Sequence, residues 1–382
     1  MRIAFYAPLK PPSHPVASGD RAVARLLIEA LRRSGHEVEI ASTFRSREGA
    51  GDLLRQERLS RLGTRLAERF LRRKTARGKR PDLWFTYHLY YKAPDWLGPA
   101  VAAALDIPYV VAEASIAEKR RVGPWALGHA AALAAVRRAD AVIGLNSADR
   151  AGLVAHLASS DRWHALKPPV EVARFAAAAR RRDTTRAQLA RRHSLDPAAV
   201  WIAAVAMMRP GDKLASYRLL AAALARLACL PWRLLVIGDG PARPEVEAAF
   251  APGAERVAWL GALAADEVAA CVAACDLCAW PAVNEAYGIA LLEAQAAGVP
   301  VVAGASGGVP DIVADGITGR LVPPGDCAAF ARALGQLIAA PQQERRRLGE
   351  RAALAAADHD VGCAATRLDA ILRRVVSERS RR

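Results

Sequence analysis

Residues 280–326 have the sequence WPAVNEAYGIALLEAQAAGVPVVAGASGGVPDIVADGITGRLVPPGD, and this stretch decides the fold class of the chain. A loop with Glu285, Tyr287 and Gly288 precedes the segment IALLEAQAA, which predicts a helix that the following Gly-Val-Pro ends. A short apolar segment at 301–303 predicts a strand, and a glycine-rich loop comes after it. Elements in this order predict an α/β domain.

Two glutamates flank the start of this predicted helix. Glu285 lies in the loop, and Glu293 follows eight residues later, about two helical turns on and on the side that faces the loop. The backbone N–H groups of residues 286–290 form a helix N-terminus, which is a site for a phosphate group. Carboxylates beside such a site suit the neutral hydroxyls of a sugar and a ribose. The pattern therefore predicts a pocket for a nucleotide sugar.

The motif P-x3-E-x-Y-G-x4-E-A-x-A-x-G-x-P-V-V-A in this stretch resembles the donor-site signature of the retaining glycosyltransferases of family 4. The resemblance implies the GT-B architecture, an α/β fold in which two Rossmann-like domains with parallel sheets face a cleft. It also implies transfer of a sugar from a nucleoside-diphosphate sugar to a hydroxyl acceptor with retention. Neither a metal nor another cofactor is expected, because cations and the helix N-terminus supply the positive potential.

Arg209 and Lys213 follow an apolar strand predicted from residue 200, where the resemblance places the two cations that bind the donor diphosphate. Cations there would stabilise the negative charge that grows on the leaving diphosphate. The spacing is shorter than is usual in the family, and Leu214 stands where the family has glycine. The resemblance gives Glu293 the ribose and Glu285 the sugar hydroxyls, and it implies further donor contacts at Gly19, Leu263, Tyr287, Gly288 and Ile289.

The alternation of predicted strands and helices continues through both halves of the chain and predicts two parallel sheets. The predicted domains are an acceptor-side domain at 1–168, a donor domain at 169–358, and a terminal helix with a basic tail at 359–382 that crosses back to the first domain. The predicted elements include a strand at 83–91 and helices at 94–105, 216–228 and 361–376.

Three residues of the first half are predicted to face the acceptor or the sugar. His14 and His88 are expected on loops at the upper edge of the first sheet. Glu113 stands at about the place where the family often has a histidine that contacts the sugar. Lone histidines are at least as often structural, so that alternative stays open for His14 and His88.

The chain carries 54 Lys and Arg residues against 38 Asp and Glu, a formal net charge of +16, which implies an anionic partner or surface. Residues 45–80 are strongly basic, with leucines at helical intervals. They predict either a helix that contacts an anionic membrane or a peripheral helix with a solvated basic face. Nucleic acid is not an expected partner, because no recognition motif accompanies the charge.

The composition, 53% hydrophobic and 24% charged, is typical of a globular protein, and no apolar run is long enough to span a bilayer. We expect a cytoplasmic protein without a cleaved signal, at most peripheral on the inner face of the membrane. Six scattered cysteines fit a reducing compartment. The spacing of Cys271, Cys275 and Cys278 also occurs in iron–sulfur proteins, but their helical context predicts three buried, inert thiols.

Two other classes of protein compete with the transferase. One is another GT-B enzyme, such as a sugar-nucleotide epimerase or a phosphorylase. The other is a catalytically silent GT-B protein that serves in binding or assembly. The complete set of Arg209, Lys213, Glu285 and Glu293 favours the transferase, acting on a glycan or lipid-linked acceptor in polysaccharide, lipopolysaccharide or glycolipid assembly. The glutamate at position 113 favours the silent protein.

Overall fold

The computed structural model describes residues 1–16 and 18–381, with the side chains of all but residues 75–77 and 380. The chain divides into two compact units, residues 1–169 with 361–382, and residues 170–360. Each unit is built on one six-stranded sheet whose pairings are parallel. The basic tail predicted from the sequence includes Arg382, which lies outside the described residues.

The first unit alternates strands and helices. Its elements are β1 (Arg2–Tyr6), α1 (Gly19–Arg33), β2 (Glu37–Ser42), α2 (Leu53–Arg77), β3 (Leu83–Leu89), α3 (Gly98–Ala104), β4 (Tyr109–Ala114), α4 (Ala126–Arg138), β5 (Ala141–Gly144), α5 (Arg150–Val154) and β6 (Trp163–Ala165). The sheet order is β2-β1-β3-β4-β5-β6. The chain adds β2 on one side of β1 and all later strands on the other side, so the strand order reverses between β1 and β3. Buried side chains of the central strands, such as those along β4, form the core of this unit.

The second unit repeats this Rossmann-like arrangement. Its elements are α6 (Val172–Ala179), α7 (Arg182–His193), β7 (Val200–Val205), α8 (Asp212–Ala225), β8 (Trp232–Ile237), α9 (Arg243–Phe250), β9 (Val257–Gly261), α10 (Ala265–Ala273), β10 (Leu277–Trp280), α11 (Ile289–Ala296), β11 (Val301–Gly304), β12 (Gly319–Val322), α12 (Cys327–Ala339) and α13 (Gln342–Ala357). The strands follow the order β12-β11-β10-β7-β8-β9, so the reversal falls between β7 and β10. A crevice outside the carboxyl ends of two such strands is where this fold binds ligands.

The last helix, α14 (Val361–Ser380), belongs to the first unit and packs against α1. The Ser34 hydroxyl donates to the Ala365 carbonyl at 2.9 Å, and His36 Nε2 lies 3.1 Å from Asp369 Oδ1. Near its end, Arg379 lies 2.6 Å from Asp106. This last contact stabilises a final turn beyond residue 376, where the sequence pattern predicted the helix to end.

Three other predicted boundaries were wrong, each because of a local contact. The strand placed at 83–91 ends at Leu89, since a short bridge between Tyr90 and Ala93 turns the chain. The helix placed at 94–105 begins only at Gly98, where the Asp95 carboxylate accepts the Leu97 and Gly98 N–H groups. The helix placed at 216–228 begins at Asp212, which brings Lys213 into its first turn. Helix α7 and the edge strands β6 and β12 were not predicted.

Candidate functional site

The candidate site lies where the sheet of the second unit reverses, at the carboxyl ends of β7 and β10. The chain leaves β7 through Arg209 to a turn at Gly211, whose φ of 85° lies in the left-handed region, and enters α8. It leaves β10 at Trp280 and passes through a loop with Glu285 before α11 begins. Because β7 and β10 are paired neighbours, the sheet brings these two loops to the same edge.

Lys213 and Glu285 meet at this edge. The Lys213 ammonium donates to Glu285 Oε2 at 2.5 Å, and the Trp280 indole N–H donates to the same oxygen at 3.1 Å. Lys213 Nζ also lies 5.3 Å from the centroid of the Trp280 ring, within cation–π range. The Glu285 side chain is only 15% exposed, whereas that of Lys213 is 34% exposed. The structure thus joins one predicted cation to one predicted carboxylate, although 72 residues separate them.

Side-chain hydrogen bonds tie the loop after β10 to the first turns of α8. Asn284 Nδ2 donates to the Asp212 carboxylate at 3.0 Å, and the Val283 N–H donates to the Ser216 hydroxyl at 3.0 Å. Two residues of this loop that are not glycine, Ala282 and Asn284, have φ values of 54° and 50°. Such backbone conformations cost about 1–3 kcal/mol each and persist where the surrounding structure enforces them. The loop that carries Glu285 is therefore held in one shape.

The glycine-rich loop after β11 packs directly on Glu285. The Ser306 hydroxyl accepts the Glu285 N–H at 3.1 Å, and the Gly308 N–H donates to the Ala286 carbonyl at 2.8 Å. A Cβ at Gly307 would lie 2.0 Å from the Glu285 carbonyl oxygen, so no larger residue fits. Glycine is required here for close backbone approach.

Glu293 lies in the middle of α11, and its carboxyl group is close to two charges of the α6 region, Arg174 and Glu171. Burial raises the pKa of Glu293 to about 7, while Arg174 opposes the shift and Glu171 adds to it. The Glu293 carboxyl therefore changes charge near neutral pH. Glu285 is not among the charged groups that shift this pKa.

The other predicted donor residues occupy different environments. Arg209 is exposed just beyond β7, and Leu263 packs partly on the core after β9. Tyr287 is buried, Gly288 has a φ of 72° immediately before α11, and Ile289 begins that helix. Gly19 belongs to the first unit, where it begins α1 behind the Ser18 cap.

The three cysteines of the C-x3-C-x2-C segment are buried around the end of α10 and in β10. Burial raises the pKa of Cys271 to about 11 and that of Cys278 to about 12, and it raises the pKa of Cys275 well above its usual value. Thiols with raised pKa values carry little thiolate, the form that binds metals. Within residues 1–16 and 18–381, no group of three or more His, Cys, Asp or Glu side chains is placed to hold a metal ion.

In the first unit, His88 and Glu113 lie together. His88 is in β3, not on a loop as its sequence context predicted, and its Nδ1 lies 2.9 Å from Asp20 Oδ1. Glu113 is a buried residue of β4, and its electrostatic interaction with His88 raises the pKa of that histidine. His14 is elsewhere in the loop after β1, with its Nε2 3.4 Å from Arg45 Nη1.

Sequence reasoning missed Asp20, Ser306 and Trp280 as members of these clusters. The sequence shows Asp20 only as an acidic residue in the first turn of a helix. Acidic residues at that position often stabilise the helix N-terminus and have no other role. Ser306 and Trp280 lie inside residues 280–326, but their contacts with Glu285 depend on how three loops fold together. No spacing in the sequence shows that arrangement.

Comparison with solved structures defines the fold class. The chain matches the Anabaena protein Alr3699/HepE in complex with UDP at a TM-score of 0.76 and 18% identity, over 98% of this chain and 100% of that one. It matches sucrose-phosphate synthase from Thermosynechococcus elongatus at a TM-score of 0.75 and 22% identity, over 99% of both chains. The predicted fold, two Rossmann-like domains of the GT-B type, is confirmed.

A family model matches part of the sequence of the second unit. Residues 200–340 match the family model described as glycosyl transferases group 1. The chain is 34% identical over 233 residues to a D-inositol 3-phosphate glycosyltransferase of Salinispora tropica. That alignment covers 57% of this chain and 47% of the relative, so the chain spans about half the length of the curated relative it matches. The resemblance seen in residues 280–326 is confirmed.

Proposed function

We propose that this chain is a retaining glycosyltransferase that moves a sugar from a nucleoside-diphosphate sugar to a hydroxyl group of a glycan or lipid-linked acceptor. The second unit binds the donor, and the first binds the acceptor. The observation that carries the proposal is the Lys213–Glu285 pair at the reversal point between β7 and β10, where a Rossmann sheet binds its ligand.

Each charged group of this edge has a role in the proposed reaction. Lys213 and the exposed Arg209 hold the diphosphate and stabilise the charge that develops as it leaves. Glu285 accepts hydrogen bonds from the hydroxyls of the donor sugar, and Glu293 from those of the ribose. In this scheme the acceptor oxygen bonds to the sugar carbon as the bond from that carbon to the diphosphate breaks, and a phosphate oxygen of the donor takes the proton of the acceptor hydroxyl. The N-terminal turn of α11 adds positive potential beside the diphosphate.

The names of similar proteins indicate which ligands to test first. The Anabaena protein was crystallised with UDP, with UDP and glucose, and with UDP-glucose. The Salinispora relative is named for D-inositol 3-phosphate. A uridine diphosphate sugar as donor and a phosphorylated or free polyol as acceptor are therefore the first pair for this chain.

Calorimetry with UDP, GDP and ADP tests the donor half of the proposal. One of the three is expected to bind the wild-type chain, and Glu293→Gln is expected to weaken that binding about tenfold or more, since a hydrogen bond to a charged group is worth roughly 1.5–3 kcal/mol. Because the pKa of Glu293 is about 7, its carboxylate form grows between pH 6 and pH 8. The nucleotide affinity of wild type should therefore rise from pH 6 to pH 8. The diphosphate itself also titrates, but equally in Glu293→Gln, so the ratio of the two affinities isolates the effect of Glu293.

Two further variants separate ribose binding from other losses. Glu247→Gln removes a carboxylate from the exposed Arg243 pair in the same unit and should leave the affinity unchanged. Glu285→Gln should lower turnover more than nucleotide affinity, because contacts at the reacting centre strengthen in the transition state. Equal nucleotide affinity in Glu293→Gln and wild type would show that Glu293 does not bind the ribose. Failure of the wild type to bind UDP, GDP or ADP would refute the donor site.

We also propose that α2 contacts an anionic membrane surface. Leu53 and Leu54, at the start of α2, are 54% and 64% exposed, and Val122 in a nearby loop is 73% exposed. The two segments are neighbours because Gln56 Nε2 donates to the Pro124 carbonyl at 2.7 Å. Four exposed cationic side chains are close to these apolar residues in the sequence: Arg55, Arg58, Lys119 and Arg121. Exposed aliphatic groups accompanied by cationic side chains are what a surface-binding helix presents to anionic lipid. None of the described helices is long and apolar enough to cross a bilayer.

Sedimentation with vesicles tests this contact. Wild type is expected to bind vesicles that contain phosphatidylglycerol, less so at high salt, and to leave phosphatidylcholine vesicles unbound. The double variant Leu54→Glu/Val122→Glu should bind at least about tenfold more weakly, because burying one aliphatic side chain is worth roughly 1.5–3 kcal/mol. Leu354→Glu, at a 75% exposed position of α13, is the matched control and should bind as wild type does. Equal binding by both variants would leave α2 as a solvated peripheral helix.

A further inference from the structure

Trp280 contacts both charged side chains of the candidate site. Its indole N–H donates to Glu285 Oε2 at 3.1 Å, and the Lys213 ammonium lies 5.3 Å from the centroid of its ring. The same carboxylate oxygen also accepts a hydrogen bond from the Lys213 ammonium at 2.5 Å. One indole therefore makes a hydrogen bond to the anion of the pair and a cation–π contact with its cation.

The indole itself is held from both neighbouring strands. Trp280 is the last residue of β10, where it pairs with Ala303 of β11, and it is only 4% exposed. Its ring packs edge-on against Tyr217, with the ring centroids 5.0 Å apart. The Tyr217 hydroxyl in turn donates to the carbonyl of Ala206, just beyond β7, at 2.8 Å. A side chain fixed in this way is suited to holding another group in one position.

The carboxylate of Glu285 is held through one of its two oxygens. The Ser306 hydroxyl accepts the backbone N–H of Glu285 at 3.1 Å, and so it fixes the main chain of the loop and not the carboxylate. Both hydrogen bonds to the side chain end on Oε2. Among the residues whose side chains the structure describes, none donates a hydrogen bond to Oε1. Oε1 is therefore the oxygen that remains for a ligand.

The two donors on Oε2 respond differently to a bound diphosphate. Lys213 carries its charge on a flexible stem, its side chain is 34% exposed, and a diphosphate is more negative than one carboxylate. A diphosphate therefore competes with Glu285 for Lys213. The indole of Trp280 is neutral and buried, and its N–H is already directed at Glu285, so this hydrogen bond meets no such competition.

We propose that Trp280 is a positioning residue that keeps Glu285 directed at the donor sugar while Lys213 exchanges Glu285 for the diphosphate. The inference rests on the proposed function, in which Glu285 binds the sugar and Lys213 the diphosphate. It adds a change of partners to that site. The Lys213–Glu285 pair separates when the donor binds, and the indole retains the carboxylate with Oε1 towards the sugar hydroxyls.

Calorimetry on the full chain tests this role. The probes are UDP, GDP and ADP, and the same nucleotides joined to glucose, galactose, mannose or N-acetylglucosamine. The ratio of the affinity for a sugar nucleotide to that for its free nucleotide measures what the sugar contacts contribute. Trp280→Phe keeps an aromatic ring beside Lys213 but removes the N–H. It should lower the affinity for the sugar nucleotide that wild type binds most tightly by about tenfold, the size of a lost hydrogen bond to a charged group. Its affinity for the free nucleotide should not change.

A double-mutant cycle separates positioning from a general loss of structure. If the indole acts through the carboxylate, Trp280→Phe should cost nothing further in a Glu285→Ala background, whereas a merely structural effect should add to that of Glu285→Ala. Glu285→Ala also tests the exchange of partners. Because it frees Lys213, this variant should bind the free nucleotide at least as tightly as wild type does.

Trp232→Phe is the matched control. Trp232 lies at the start of β8 in the same unit, is 3% exposed, and donates its indole N–H to the Leu227 carbonyl at 2.9 Å. The substitution removes the same ring atoms and a comparable hydrogen bond away from Glu285, so it should leave both affinities unchanged. Urea denaturation of the two tryptophan variants verifies that each is folded under the conditions of the titrations.

Three results would overturn the role of Trp280: an unchanged affinity ratio in Trp280→Phe, additive losses in the cycle, or a wild type that gains affinity from none of the four sugars. Weaker binding of the free nucleotide by Glu285→Ala would overturn the exchange of partners. Failure of wild type to bind any of the three free nucleotides would refute the proposed function itself, so the two failures are distinguishable.

Discussion

Replacing Lys213 with alanine is expected to lower kcat by roughly 30- to 1,000-fold, which corresponds to about 2–4 kcal/mol of transition-state stabilisation. The ammonium group lies in the first turn of α8, 2.5 Å from Glu285, in a loop arrangement held by the bonds of Asn284 and Val283. In the proposed reaction, a cation fixed in this way would stabilise the leaving diphosphate without having to reorganise. Steady-state kinetics with the donor that calorimetry selects measures the effect.

The structure also defines the controls for this experiment. Arg218→Ala removes an exposed cation from the same helix and should leave kcat near that of wild type. Arg209→Ala should lower kcat in the same direction as Lys213→Ala, because both cations follow β7. In Lys213→Ala, the Glu285 carboxylate keeps the hydrogen bond from the Trp280 indole but loses its cation, and it would face the diphosphate. The double variant with Glu285→Gln removes that repulsion and shows how much of the loss it causes. Near-wild-type turnover in both Lys213→Ala and Arg209→Ala would refute the diphosphate assignment.

Asp276→Ala is expected to destabilise the second unit by about 3–5 kcal/mol, the usual cost of removing one partner from a buried ion pair. Asp276 lies just before β10 and is 8% exposed. It receives hydrogen bonds from Arg182 at 2.6 Å, from Arg186 at 3.0 Å and from the Trp201 N–H at 2.8 Å. Arg186 also stacks over the Trp201 ring, 4.1 Å from its centroid. Removal of the carboxylate would leave two cations beside the start of the two central strands.

Urea denaturation followed by circular dichroism measures this loss. The matched control is Asp266→Ala, which breaks the 2.9 Å pair with Arg174 at a carboxylate that is 88% exposed. Exposed pairs contribute about 0–1 kcal/mol, so this variant should stay close to wild type. Asp276→Asn keeps an acceptor for the Trp201 N–H and should lose less than Asp276→Ala. If Asp276→Ala and Asp266→Ala shift the urea midpoint equally, the network does not hold α7 to the sheet.

Much of the fold could be predicted because helices and parallel strands leave a periodic pattern in the sequence. Strands such as β4 and β7 are buried along their length, so they appear as short apolar runs between helical segments. Some errors were missed elements, namely α7, β6 and β12, and the others fell at element ends. The start of α3 depends on the Asp95 carboxylate, and the last turn of α14 is accompanied by the contact of Arg379 with Asp106. Such ends are decided by a single side chain or by contacts with residues that are distant in the sequence. Hydrophobic periodicity shows neither of these.

By itself, the sequence determined the fold class and the residue types of the proposed donor site, because residues 280–326 carry a continuous motif in which loop, helix and glycine-rich turn follow in order. Only the tertiary structure decided which of those residues meet. Pairing of β7 with β10 brings Lys213 to Glu285, and pairing of β3 with β4 places His88 beside Glu113, with Asp20 reaching His88 from α1. The physical reason is that a parallel sheet collects the carboxyl ends of strands that are far apart in the chain. Strand order therefore decides which charged side chains meet at the carboxyl-end edge of a sheet, and local sequence does not encode strand order.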